Sequence, residues 1–264
     1  MAQVFKPGLY EGRVAFVAGG TSGINLAIAE RLAELGAAVT VASRSPDKVA
    51  AAVQRIEAHG GRAFGQACDV RDYDGVATAL GAARERLGAI DMLVSGAAGN
   101  FVARALDMSS KGFRTVVEID LLGTFNVLRA AHEHLRKPGA AIVNISAPQS
   151  YMPMEGQVHV GAAKAGVDML TRNLAVEWGR DGVRVNSIVP GPIEATEGME
   201  RLGAAPGARA KLEKLIPLGR YGRKEEIADL AVFLCSDAAQ YVTGAIVVCD
   251  GGQSLLGSAG FRPD

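Results

Sequence analysis

Ala18-Gly19-Gly20-Thr21-Ser22-Gly23-Ile24-Asn25 is the stretch on which the fold turns. It follows a short apolar run, Val14–Ala18, and leads into a segment of helical period, Ile24–Leu35. Glycines at such a junction permit a tight turn and let backbone N–H groups approach an anion at the positive helix end. A glycine-rich loop alone is weak; between a first strand and a first helix it has the context of a dinucleotide cradle. Gly19, Gly20, Thr21, Ser22, Gly23 and Ile24 are therefore assigned to cofactor binding, with an ordinary glycine turn as the alternative.

Working outward, β-branched apolar runs recur at Ala38–Ser43, Ala63–Cys68, Met92–Ser95, Ala140–Ser146, Arg184–Val189 and Ala245–Cys249. Between them lie helical patterns at Asp47–Ala58, Asp72–Leu87, Phe113–Leu135, Gly156–Trp178 and Lys224–Leu234. Strand alternating with helix predicts an α/β fold: a single Rossmann-type, doubly wound parallel sheet of about seven strands with helices on both faces. One domain over residues 1–264 accommodates the whole chain. Pro192–Tyr221 carries no convincing strand and reads as a helical insertion above the sheet, a usual place for a substrate lid. Asp250–Asp264 reads as a surface tail.

The second strand ends Val41-Ala42-Ser43-Arg44. A carboxylate usually stands there to hold the adenosine ribose of NAD, whereas Ser43 is neutral and Arg44 can pair with a 2′-phosphate. NADP(H) is the expected cofactor, a solvated arginine the alternative. The 28 basic and 28 acidic side chains cancel, so no general field favours nucleic acid or a membrane surface. No apolar run is long enough to span a bilayer. Cys68, Cys235 and Cys249 are odd in number and far apart, which argues against a disulfide framework or a metal site.

At this point the chain resembles the short-chain dehydrogenase/reductase family over nearly its full length. The matching pieces are Asp69-Val70, Ser95-Gly96-Ala97-Ala98-Gly99, Ser146, Lys164, Pro190-Gly191-Pro192-Ile193, Thr196 and Tyr241-Val242-Thr243-Gly244…Asp250-Gly251-Gly252. The resemblance implies that Asp69 and Val70 hold the adenine and that Lys164 binds the nicotinamide ribose. It places Ala97, Pro190, Gly191, Ile193 and Thr196 in the cofactor site as well, Ile193 and Thr196 at its nicotinamide end.

The departures are informative. The family's usual catalytic tyrosine lies one helical turn before the lysine, where this chain has Val160, and its usual asparagine is replaced by Asp120. Asn25 stands at the third glycine of the loop. Ketone reduction needs a proton at oxygen as hydride arrives, and loss of that acid typically costs ~10²–10⁴-fold. One branch shares these departures, the peroxisomal-type 2,4-dienoyl-CoA reductases. The likeness runs through Ala97–Phe101, Asp120–Val127, Val158–Lys164, Leu174–Gly179 and Thr196–Gly203.

That resemblance implies NADPH-dependent reduction of 2,4-dienoyl-CoA thioesters to enoyl-CoA in the β-oxidation of unsaturated acids. Asp120 is expected to position a water that protonates the dienolate, with Lys164 beside it; a structural aspartate inside a buried helix is the alternative. Ser146 and His159 are candidate donors to the thioester oxygen, against a turn serine and a packing histidine. Tyr151 is a candidate displaced acid, although Gln149 holds the position at which mitochondrial dienoyl reductases place a tyrosine. Arg44, Arg71 and Arg201 match positions used for the phosphates of coenzyme A, and Phe101 and Ser109 match further substrate contacts. A homotetramer or dimer is expected, with the long helices after strands four and five at the interface. The peroxisomal tripeptide of eukaryotic members is not found at Arg262-Pro263-Asp264, so a bacterial-type cytoplasmic protein is expected. Two other readings stay open: a family member acting on another carbonyl or conjugated substrate, and a catalytically silent NADP-binding module.

Overall fold

The structure, a computed structural model, describes residues 4–58, 60–196 and 208–256. Seven parallel strands form one sheet: β1 (Val14–Ala18), β2 (Ala38–Ser43), β3 (Arg62–Ala67), β4 (Met92–Ser95), β5 (Ala141–Ile145), β6 (Arg184–Pro190) and β7 (Ile246–Cys249). Their spatial order is β3-β2-β1-β4-β5-β6-β7. β1 thus pairs with β2 on one side and β4 on the other, Val17 standing opposite both Val41 and Val94. The chain reverses its direction of winding there, and the crevice beyond the carboxyl ends of these strands is where such sheets take ligands.

The strands read as continuous apolar runs because both faces are covered. Ala15 and Val17 join one core with Leu26, Ile28 and Leu32 of α1 (Gly23–Glu34) and Ile227 and Ala231 of the last long helix. Val14, Phe16 and Ala18 point the other way, into a core with Leu80, Leu128 and Leu174. α2 (Pro46–Ala58) and α3 (Tyr73–Leu87) follow β2 and β3, and α6 (Val158–Trp178) connects β5 to β6.

The helix expected over Phe113–Leu135 is not continuous. α4 (Ser110–Val117) runs into a π-helical turn, Glu118–Leu122, before α5 (Gly123–Ala131) resumes. The Gly123 N–H reaches the Glu118 carbonyl, so the turn is one residue wider than its neighbours. Such bulges recur at functional sites. Asp120 sits in it.

Of the expected insertion, the described part forms α7 (Ala208–Lys214), followed by α8 (Lys224–Cys235). Ile193 bridges in parallel to Gly222, so the insertion's two ends are tied together. Of the expected surface tail the structure describes residues 250–256, and 257–264 lie outside the described residues. Asp250 accepts from the N–H groups of Gly252 and Ser254, each at 2.8 Å, which folds the chain back after β7. Gly251 then accepts from Leu218 N.

Candidate active site

At the β1–β4 crevice a groove of about 490 Å³ is lined by Gly19, Thr21, Ser22, Ser43, Arg44, Asp69, Val70 and Ala97, all expected cofactor positions. The glycines are needed there. Gly19 has φ +77°, and a β-carbon on it would lie 2.8 Å from Ala97 N; one on Gly20 would lie 2.9 Å from the Val17 carbonyl. Gly23, at φ +57°, opens α1, and Ile24 follows half-buried in its first turn. Backbone therefore lines the groove where side chains would otherwise fill it, a surface suited to a pyrophosphate. Lys48, on the first turn of α2, joins Arg44 as a second cation. Sequence reasoning missed it, since a lysine early in a helix carries no signal until the fold aims it at the groove.

Arg71 is committed within the protein. Its guanidinium grips Asp69 with two donors, Nη2 at 2.6 Å and Nε at 3.0 Å. These bonds are the first reason the Asp69 carboxyl is held below its ordinary range. Val70 is fixed from behind: Asn126 Nδ2 donates to its carbonyl at 2.9 Å, and a β-carbon on Gly123 would come within 2.6 Å of its side chain.

Asp120 is 1% exposed and Lys164 5% exposed. Asp120 Oδ1 accepts from Gly99 N at 2.7 Å, and Oδ2 stands 3.5 Å from Lys164 Nζ. Lys164 Nζ donates to the Ile145 carbonyl at 2.9 Å, at the end of β5. The wide turn leaves the Asp120 carbonyl to accept from Thr124 Oγ1 at 2.7 Å. The carboxylate is thus tied to the loop after β4 and, through Lys164, to α6. Buried charges persist only when paired and hydrogen-bonded, and both conditions hold here.

Ser146, next after Ile145, is buried with no partner for its hydroxyl. Val160 is buried on α6, one turn before Lys164. His159 is 0% exposed, its ring 4.4 Å from that of Phe101, and neither ring nitrogen makes a hydrogen bond of ordinary geometry. Burial lowers its pKa, opposed by the Phe101 backbone and by Asp120, so the neutral imidazole is favoured. Phe101 itself is partly exposed beside it. Gln157, missed in the sequence, donates to the Phe101 carbonyl at 3.0 Å and holds that loop. Tyr151 is half exposed, and Gln149 Nε2 lies 3.6 Å from Met154 Sδ.

Ser109 caps α4, its hydroxyl accepting from Gly112 N at 3.0 Å. Pro190 closes β6, and Gly191 packs on Asp250, where a β-carbon would meet Asp250 Cα at 2.5 Å. Ile193 is buried, and Thr196 Oγ1 donates to its carbonyl at 2.8 Å. Arg201 lies outside the described residues.

Comparison with known proteins agrees with this fold. Residues 18–254 match the family model described as enoyl-(acyl carrier protein) reductase. The chain is 43% identical over 254 residues to a protein from Danio rerio named peroxisomal 2,4-dienoyl-CoA reductase [(3E)-enoyl-CoA-producing], covering 96% of this chain and 85% of that one. It is 40% identical over 248 residues to a probable 2,4-dienoyl-CoA reductase [(2E)-enoyl-CoA-producing] of Bacillus subtilis, covering 93% and 98%. A solved gluconate 5-dehydrogenase from Burkholderia cenocepacia, in complex with NADP and tartrate, superposes with a TM-score of 0.88 at 32% identity, over 93% of this chain and 96% of its own. The expectation of a cytoplasmic location is overturned by the first of these relatives, whose name places it in the peroxisome. With the sheet order, the glycine cradle and a matching lysine all in place, the chain belongs to the short-chain dehydrogenase/reductase family.

Proposed function

We propose that the protein reduces 2,4-dienoyl-CoA thioesters to enoyl-CoA with NADPH. The observation that carries this reading is the buried Asp120–Lys164 pair, 3.5 Å apart, on a site whose usual tyrosine position is the buried Val160. The names of the relatives at 43% and 40% identity support it. NADP in the solved gluconate dehydrogenase, together with Arg44 and Lys48 in the groove, supports the phosphorylated cofactor.

Bound in the groove, NADPH supplies a hydride to the far carbon of the conjugated system. Everything else falls to the protein. The electron pair displaced along the diene collects on the thioester oxygen, where preorganised donors lower the barrier. Ser146 Oγ, without a partner, is available for this. One proton from water then completes the enoyl product at carbon. Asp120, anchored by Gly99 N, holds and orients that water, with Lys164 Nζ 3.5 Å from its other oxygen. A phenol at position 160 is not needed, because no alcohol is formed.

Arg44 lines the groove and suits a phosphate of coenzyme A, Arg71 is already held by Asp69, and the resemblance gives the phosphate role to Arg201 and acyl contacts to Phe101 and Ser109. The protein assembles as a dimer or tetramer through α5 and α6. Phe125 on α5, Met169 and Val176 on α6, and Leu122 just before α5 are exposed apolar side chains that such an interface would cover.

The test follows cofactor absorbance with a dienoyl-CoA and locates the product's double bond, on which the relatives' names differ. Asp120→Ala is expected to cut turnover by ~10²–10⁴-fold while NADPH still binds. Near-normal turnover in that variant would remove Asp120 from the chemistry, and no NADPH consumption by the unaltered protein would sink the whole reading.

A further inference from the structure

Asn25 lines the nucleotide groove yet has no part in the chemistry above. It occupies the third position of the glycine motif, in the first turn of α1. Its amide spans the gap between the two loops that face the cofactor. Nδ2 donates to the Gly96 carbonyl at 2.7 Å, joining the loop after β1 to the loop after β4. Room for the amide comes from the opposite glycine: a β-carbon on Gly96 would lie 2.2 Å from Asn25 Oδ1 and 2.5 Å from Nδ2. Gly19 closes the third side, its β-carbon position 3.2 Å from Nδ2. The glycine missing at 25 and the glycine kept at 96 are one exchange of volume across the groove.

The orientation of this amide is fixed, because the group facing a carbonyl oxygen must be the donor. Oδ1 is then left buried with no hydrogen-bond partner. An unpaired buried acceptor is costly, and only a donor relieves it. That cost is borne for the Nδ2 bond between the loops, which is the part of the amide that acts on the groove.

We propose that Asn25 is a positioning residue for the cofactor: its Nδ2 bond to Gly96 locks together the two loops that face the bound dinucleotide. This rests on reading the groove as a nicotinamide dinucleotide site. The locked loops need less ordering on binding, and preorganisation of this kind favours affinity.

The experiment titrates NADPH into the full chain by fluorescence, with the melting temperature of the unliganded protein measured alongside. Asn25→Gly is expected to raise the NADPH Kd about tenfold, the effect of roughly one lost hydrogen bond. Gly96→Ala, whose methyl group collides with the amide, is expected to weaken binding at least as much. Adding Asn25→Gly to Gly96→Ala removes the collision and recovers affinity to the level of Asn25→Gly alone. A melting temperature that falls in Asn25→Gly while the Kd stays put would make Asn25 a packing residue and overturn the proposal. Should Gly96→Ala not fold, the Kd of Asn25→Gly decides alone. Failure of the unaltered protein to bind NADPH or NADH would overturn the groove reading instead.

Discussion

Asp120 and Lys164 show how little a residue's identity says until its neighbours are known. In the sequence an aspartate among apolar residues is compatible with a structural cap; in the fold its carboxylate meets a backbone donor and an ammonium, both buried. Removing one partner of such a pair leaves an uncompensated charge, and removing both does not. Lys164→Met is therefore expected to lower stability by about 3 kcal/mol, and the double variant Asp120→Asn/Lys164→Met to recover a substantial part of it. Denaturant titrations of the four proteins measure the coupling. Additive losses would show that the two charges do not sense one another. His159 teaches the converse. Its position beside the vacant tyrosine site suggested a donor, and the structure seats it fully buried behind Phe101.

At the scale of elements, the π-turn at Glu118–Leu122 delivers Asp120, and the hydrophobic pattern did not disclose it. Apolar residues keep a helical period through Phe113–Leu135 whether or not one turn is widened. α8 is anchored by a different device. Glu226, in its first turn, accepts from Arg223 N at 2.7 Å and from both terminal nitrogens of Arg220. Chiefly through Arg220, its carboxyl is drawn down from an ordinary 4.5 to about 2. A carboxyl depressed on folding stabilises the protein above its unfolded value, and loses that contribution as pH falls through the folded one. Glu226→Gln should consequently lower the melting temperature at neutral pH, with the difference from the unaltered protein closing between about pH 4.5 and about pH 2. A difference independent of pH would mean that the charge plays no part. High salt should shrink the neutral-pH effect, since the pair is partly exposed.

For the whole molecule, the apolar residues exposed on α5 and α6 make a prediction about assembly. Met169→Glu combined with Val176→Glu is expected to shift the protein toward monomer, read by light scattering with size-exclusion chromatography. An unchanged mass would place any interface elsewhere. The described lining of the groove and the Asp120–Lys164 pair come from residues of one chain, so NADPH binding should survive dissociation.

Strand positions, the glycine cradle and the sheet class were legible in the sequence because they rest on local causes. Strands covered on both faces are short unbroken apolar runs, helices repeat every 3.6 residues, and only glycine accepts φ +77° with backbone 2.8 Å from where a β-carbon would sit. The Asp120–Lys164 pairing, the clasp of Arg71 on Asp69, Lys48 in the groove and the Asn25 bridge to Gly96 were decided only in three dimensions. Each depends on the separation and direction of groups brought together by different elements, and those quantities exist only once the sheet has set the elements side by side.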